Sequence, residues 1–133
     1  MTVFALDTNI VSFYIRQQGQ VVRKTIEARA AGDTVIITPI AYYEVKRGFI
    51  TINAATRLAR FYELCEQLGV GQFNNDILDT AAEIYSELRA KNQIVEDADI
   101  FSAAFCKNHG FTLVTNNTRH FEHIADLLYC DWL

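Results

Sequence analysis

The run Val3-Phe4-Ala5-Leu6-Asp7-Thr8-Asn9 sets four apolar residues without alternation before a carboxylate and two small polar residues. An apolar run of that kind fits a strand covered on both faces. Asp, Thr and Asn are turn and N-cap residues, so the spacing predicts that the strand ends at Asp7 and that Ile10 to Arg16 is helical. The pattern returns in Thr34-Val35-Ile36-Ile37, followed by Thr38-Pro39, with Pro39 suited to the first position of a helix. It returns again in Phe111-Thr112-Leu113-Val114, and Leu127 to Cys130 is a candidate edge strand. Between these runs a polar helix is expected over Gln20 to Arg29. Amphipathic helices are expected over Ala55 to Leu68 and from Ile77 to Leu88. Asp97 to Lys107 is apolar on nearly all sides and reads as a buried helix. Short apolar strands alternating with helices imply an α/β fold, three layers deep, with a central parallel sheet.

Composition narrows the class. At 133 residues the chain is expected to be a single domain, 1–133. Half of it is hydrophobic, 21% is charged, and it holds one proline and six glycines, which excludes collagen-like and disordered readings. No apolar run reaches bilayer length and the first residues carry no basic region, so a soluble cytoplasmic protein without membrane attachment is expected. Cys65, Cys106 and Cys130 are odd in number and form no CxxC, so they read as small buried hydrophobes rather than zinc ligands. A net charge of −4 argues against electrostatic wrapping of nucleic acid. That inference reverses if several carboxylates converge on divalent cations, because bound metal inverts the local field.

Three acids invite that reading. In an open parallel sheet, chemistry sits at the carboxyl ends of the strands, where Asp7 stands, although a plain helix cap explains Asp7 equally well. Glu44 lies on or beside a predicted inward stripe of Ile40, Ala41, Val45, Gly48 and Phe49. A carboxylate there needs a metal or an internal ion pair with Arg or Lys. Asp99 falls in the first turn of the buried helix, beside Ser102, Ala103 and Cys106; capping is the alternative, with Asp97 or Glu96 as other caps. Acids on three separate elements point to an oxygen-ligand site for Mg²⁺ or Mn²⁺. Thr115-Asn116-Asn117-Thr118-Arg119 should emerge on the same sheet edge. His120 and His123 lack a third ligand of recognisable spacing.

Leu6-Asp7-Thr8-Asn9, Tyr43-Glu44-Val45-Lys46-Arg47-Gly48, Ala98-Asp99-Ile100-Phe101-Ser102-Ala103-Ala104 and Leu113 to Phe121 occur in the order of a PIN-domain ribonuclease. More closely, the chain resembles the VapC toxins of bacterial toxin–antitoxin pairs. The resemblance implies that Asp7, Glu44 and Asp99 are catalytic, metal-binding acids, with Thr8, Asn9, Thr115 and Asn117 in supporting positions. Asn117 stands where many PIN domains place a fourth acid, and Asp97 is the compensating candidate. The activity implied is endonucleolytic hydrolysis of RNA leaving a 5′-phosphate and a 3′-hydroxyl. A homodimer silenced by a cognate antitoxin is also implied. Tyr129-Cys130-Asp131-Trp132 resembles members specific for initiator tRNA, which favours a tRNA anticodon loop as substrate.

The residue types agree with that chemistry. Clustered acids without a Ser or Cys nucleophile suit metal-assisted phosphodiester hydrolysis. Lys46, Arg47 and Arg119 are candidate RNA contacts, or else ordinary solvated charges. Two rivals remain. A phosphoaspartate hydrolase would need an acid two residues after Asp7, where Asn9 stands. A non-catalytic PIN-like binding module would tend to lose acids that are kept here.

Overall fold

A computed structural model describes Met1 to Leu133. The apolar runs form four short strands, β1 (Val3–Leu6), β2 (Thr34–Ile37), β3 (Thr112–Val114) and β4 (Leu128–Cys130). All pair in parallel, in the order β2-β1-β3-β4. The last two each begin one residue later than the sequence predicts. Val70 adds a one-residue bridge outside β2: Ile37 donates its N–H to the Gly69 carbonyl (3.0 Å) and accepts from Gly71 (2.9 Å).

Six helices cover the sheet: α1 (Thr8–Ile15), α2 (Gly19–Ala30), α3 (Pro39–Thr51), α4 (Ala55–Leu68), α5 (Asn75–Ala90) and α6 (Asp97–His109). Their starts follow capping chemistry. Asp7 caps α1. Thr38 accepts from the Ala41 N–H at 3.2 Å with Pro39 at the first helical position, and Asn74 accepts from Ile77 at 2.9 Å. Glu96 occupies the cap position of α6 without a side-chain bond. Gly110 closes α6 at φ +72°, a left-handed backbone suited to glycine.

Strand alternation divides the core into two. Ala5, Ile36 and Leu113 face α5 and α6, together with Phe121, Ile124 and Leu127. Leu6, Val35, Ile37 and Val114 face the other way, onto α1, α3, α4 and Val21 of α2. Trp132 closes that second face, its ring 5.2 Å from Phe4. The result is the three-layer α/β arrangement expected, with α6 buried along Ile100 and Ser102 to Cys106.

Two expectations change. Gly48 is exposed and the inward side of α3 is held mainly by Ala41 and Val45. Cys106 is buried but Cys65 and Cys130 are only partly so, because they sit at the margins of the core. Phe61 is wholly core, whereas Tyr62 and Tyr85 keep 40% and 46% of their surface in solvent.

The topology fixes where a site forms. From β1 the chain crosses to β2 on one side, and β3 then pairs on the other. The connections diverge at that boundary and leave a crevice beyond the carboxyl ends of β1 and β3. Asp7 and Thr115 follow those ends directly.

Candidate active site

Asp7 is the most enclosed acid, 8% exposed. Its Oδ1 accepts the Thr8 N–H at 2.9 Å and its Oδ2 the Thr115 hydroxyl at 3.2 Å. Burial is the main reason its pKa rises to about 6; the Thr8 and Thr115 bonds oppose the rise, and the charges of Asp99 and Glu44 add to it. Cys106 stands close enough to feel Asp7: burial first, then that charge, pushes its thiol up and leaves it inert.

Glu44 is half-buried on α3 and accepts the Thr8 hydroxyl at 2.6 Å. Arg47, one turn on, reaches its Oε2 only at 3.7 Å and is itself exposed. The internal ion pair weighed as an alternative is therefore a loose surface contact. Asp99 projects from the first turn of α6, and its Oδ2 meets His120 Nδ1 at 2.8 Å. Burial raises the Asp99 pKa, His120 opposes this, and Glu96 and Glu44 reinforce it.

These residues line one cleft of about 200 Å³ with Thr8, Asn9, Asn117 and Glu96. Thr115 lies beneath it, fully buried, donating to Asp7 and accepting the Asn117 N–H at 3.1 Å. Asn9 donates its amide to Asn116 at 3.1 Å and so ties the loop after β3 to α1.

Some expected residues lie elsewhere. Asp97 is not a wall of the cleft; Glu96 is, and its charge acts on Asp99. Lys46 stacks over the rings of Tyr42 and Tyr62, 5.3 and 5.4 Å from their centroids. Arg47 stacks over Tyr43 at 5.0 Å. Neither lines the acid cleft, and Arg119 opens onto an adjoining hollow with His120 and His123. His120 is the residue that spacing alone did not assign: its role comes from the short 3₁₀ turn Thr118–His120, which swings it back onto α6.

The donor set suits a hard divalent cation. The charges of neighbouring carboxylates, Glu44 among them, help to push the Asp7 and Asp99 pKa values up, and the one arginine paired there, Arg47, is held loosely. Ser102, one turn beyond Asp99, holds the one buried side-chain polar atom without a partner. No three His, Cys, Asp or Glu side chains form a ready-made cage. An ion here would keep several waters, as Mg²⁺ does when held by one or two carboxylates.

Comparison with known proteins gives the family and the fold. Residues 4–127 match the PIN domain. A plasmid stability protein, StbB of Pseudomonas syringae pv. tomato, is 32% identical over 125 residues, 88% of this chain and 89% of its own. The tRNA(fMet)-specific endonuclease VapC of Shigella flexneri is 27% identical over 133 residues, 99% of each chain. Among solved structures, VapBC2 from Rickettsia felis bound to a DNA fragment from its promoter superposes with a TM-score of 0.90. At 23% identity over 99% of this chain and 100% of that one, it shares the fold.

Proposed function

The chain belongs to the PIN-domain family, and from that premise we propose that it is a divalent-metal-dependent endoribonuclease, the toxin of a toxin–antitoxin pair. The observation that carries this reading is the convergence of Asp7, Glu44 and Asp99 on one cleft at the topological switch point of the sheet. Asp7 and Asp99 are the residues to hold Mg²⁺ or Mn²⁺, with Glu44 completing the set. A bound ion supplies activation of water and charge stabilisation on the phosphate and leaving oxygen. The protein's own work is orientation. Thr8 fixes the Glu44 carboxylate, Thr115 fixes Asp7, and His120 fixes Asp99. Asn117 and Asn9 present neutral amides to the cleft, so substrate phosphate meets no added negative charge there.

An anticodon loop is the substrate class favoured, initiator tRNA foremost. An acidic chain gains little from long phosphate contacts, and a short exposed loop lets unpaired bases splay around one scissile phosphate. The name of the Shigella flexneri relative supports the same choice. A cognate antitoxin and a second copy of the chain are the proposed partners. Tyr43, Ile50 and Ile52 at α3 and Tyr62 on α4 offer them exposed apolar surface. No helix is long and apolar enough to cross a membrane.

The test is incubation of purified protein with total cellular RNA and Mn²⁺, followed by mapping of new 5′-phosphate ends, with Asp7→Asn as control. New ends in a tRNA anticodon loop, absent with the variant, are expected. Dominant cuts in ribosomal RNA would overturn the substrate. Equal ends from both proteins, or none from either, would overturn the nuclease and favour a binding module.

A further inference from the structure

A second hollow of about 330 Å³ adjoins the acid cleft. The two share Glu96, Asp99 and His120 as walls, so they form one continuous concavity. The new hollow runs between the α5–α6 loop, at Gln93 and Ile94, and the turn carrying Arg119 and His123. A third hollow, about 440 Å³, shares Gln93 and Ile94 and ends at Arg89. The walls are braced. Lys91 donates to the His123 carbonyl at 3.1 Å, and the Gln93 N–H bonds to the Leu88 carbonyl at 2.9 Å.

Charge and polarity are sorted along this path. Carboxylates occupy the cleft end. Arg119 and Arg89 stand farther along it with Lys91 beside them, and none of the three pairs with a carboxylate. The one acid engaged on that rim, Glu122, sits 3.5 Å from His123. Ile94 is 86% exposed at the junction of the two hollows, next to a Gln93 amide that can both donate and accept. An exposed apolar side chain, an adaptable amide and arginines unpaired with carboxylates, Arg89 among them stacked 5.4 Å over the Tyr85 ring, are what an unpaired nucleotide strand takes: a surface for the base and charges for the phosphates.

We infer that the path from the acid cleft across Ile94 to Arg89 seats the single-stranded RNA flanking the scissile phosphate. One unpaired base lies against Ile94 and Gln93, and phosphates turn toward Arg119 and Arg89. This rests on the nuclease reading above and adds the side from which the substrate enters.

Nested single-stranded RNA oligonucleotides around a mapped cut, shortened stepwise from each end, test it with wild type, Ile94→Asp and Arg89→Gln. Both side chains are exposed, and an unchanged melting temperature verifies the fold. On long oligonucleotides each variant should lose about fivefold in kcat/KM, Ile94→Asp through a lost apolar contact with a base and Arg89→Gln through a lost charge at a phosphate. That loss should vanish once nucleotides are removed from one end, and from that end only, because the two changes delete the same contact. No loss, or the same loss at every length, overturns the path while wild-type cleavage leaves the nuclease standing. Unchanged cleavage with lost antitoxin binding assigns the surface to the protein partner and likewise overturns it. No cleavage of any RNA by wild type removes both readings.

Discussion

Thr8 and Glu44, 36 residues apart, are joined by a hydroxyl-to-carboxylate bond of 2.6 Å. It links the first turn of α1 to the middle of α3 and holds Glu44 against the pull of the exposed Arg47. Bonds to an ionised acceptor are the stronger kind, about 1.5–3 kcal/mol. Thr8→Val should therefore lower kcat/KM by about tenfold or more, while Thr8→Ser restores most of it. Equal rates for Val and Ser would show that the hydroxyl does not position Glu44.

Asp7 makes the metal-free protein sensitive to pH. Its pKa is raised from 3.8 to about 6 in the folded state, chiefly by burial. The folded chain thus binds the proton more tightly than the unfolded chain. Its contribution to stability is complete below the unfolded value and is lost as pH rises through the folded one. In EDTA the wild type should lose stability between pH 4 and pH 6, by up to about 3 kcal/mol from this group. Asp7→Asn should lack that slope, cleave no RNA, and melt higher than wild type at pH 7. Parallel melting curves for the two proteins across that range would refute the account.

Metal affinity should follow the same group in the opposite sense. A cation has to displace the Asp7 proton, so Mn²⁺ binding by calorimetry should tighten as pH rises through about 6, with proton release. Because Asn117 is neutral where it faces the cleft, one ion should bind well and a second weakly. Two equally tight ions without RNA would contradict this.

Gly71 tests packing rather than chemistry. A Cβ added there would stand 2.3 Å from Cζ of Phe105, itself a core residue of α6. Gly71→Ala should cost about 1–3 kcal/mol by overpacking, read from urea unfolding. The expected signature is a shifted midpoint with an unchanged slope.

Light scattering at tens of micromolar should give the mass of a dimer. A strictly monomeric protein would leave the apolar residues at α3 and α4 to the antitoxin alone.

Much of this was legible from the sequence. The unalternated runs at Val3 and Thr34 and the Thr38-Pro39 cap signal depend on neighbours in the chain, and they fold as read. What escaped depends on tertiary placement. The one-residue bridge at Val70 has no periodicity to detect. The choice of Glu96 over Asp97 turns on the extended backbone of the cap residue, which no periodicity in the sequence marks. The His120–Asp99 contact depends on a 3₁₀ turn closing over α6 from 21 residues away. Gly48 was placed inward by an apolar stripe that the real contact surface of α3 is too narrow to use.

The place of β3 beside β1 bears on when in folding the site forms. Asp7 and Glu44 come well before Thr112 to Val114 in the chain, the strand that completes the crevice and leads into Thr115. Non-local parallel pairing forms slowly and cannot precede its own residues. Asp7 and Glu44 therefore stand on an unfinished sheet until β3 has been made and has paired beside β1. A hydrolytic centre at this cleft is complete only after that pairing.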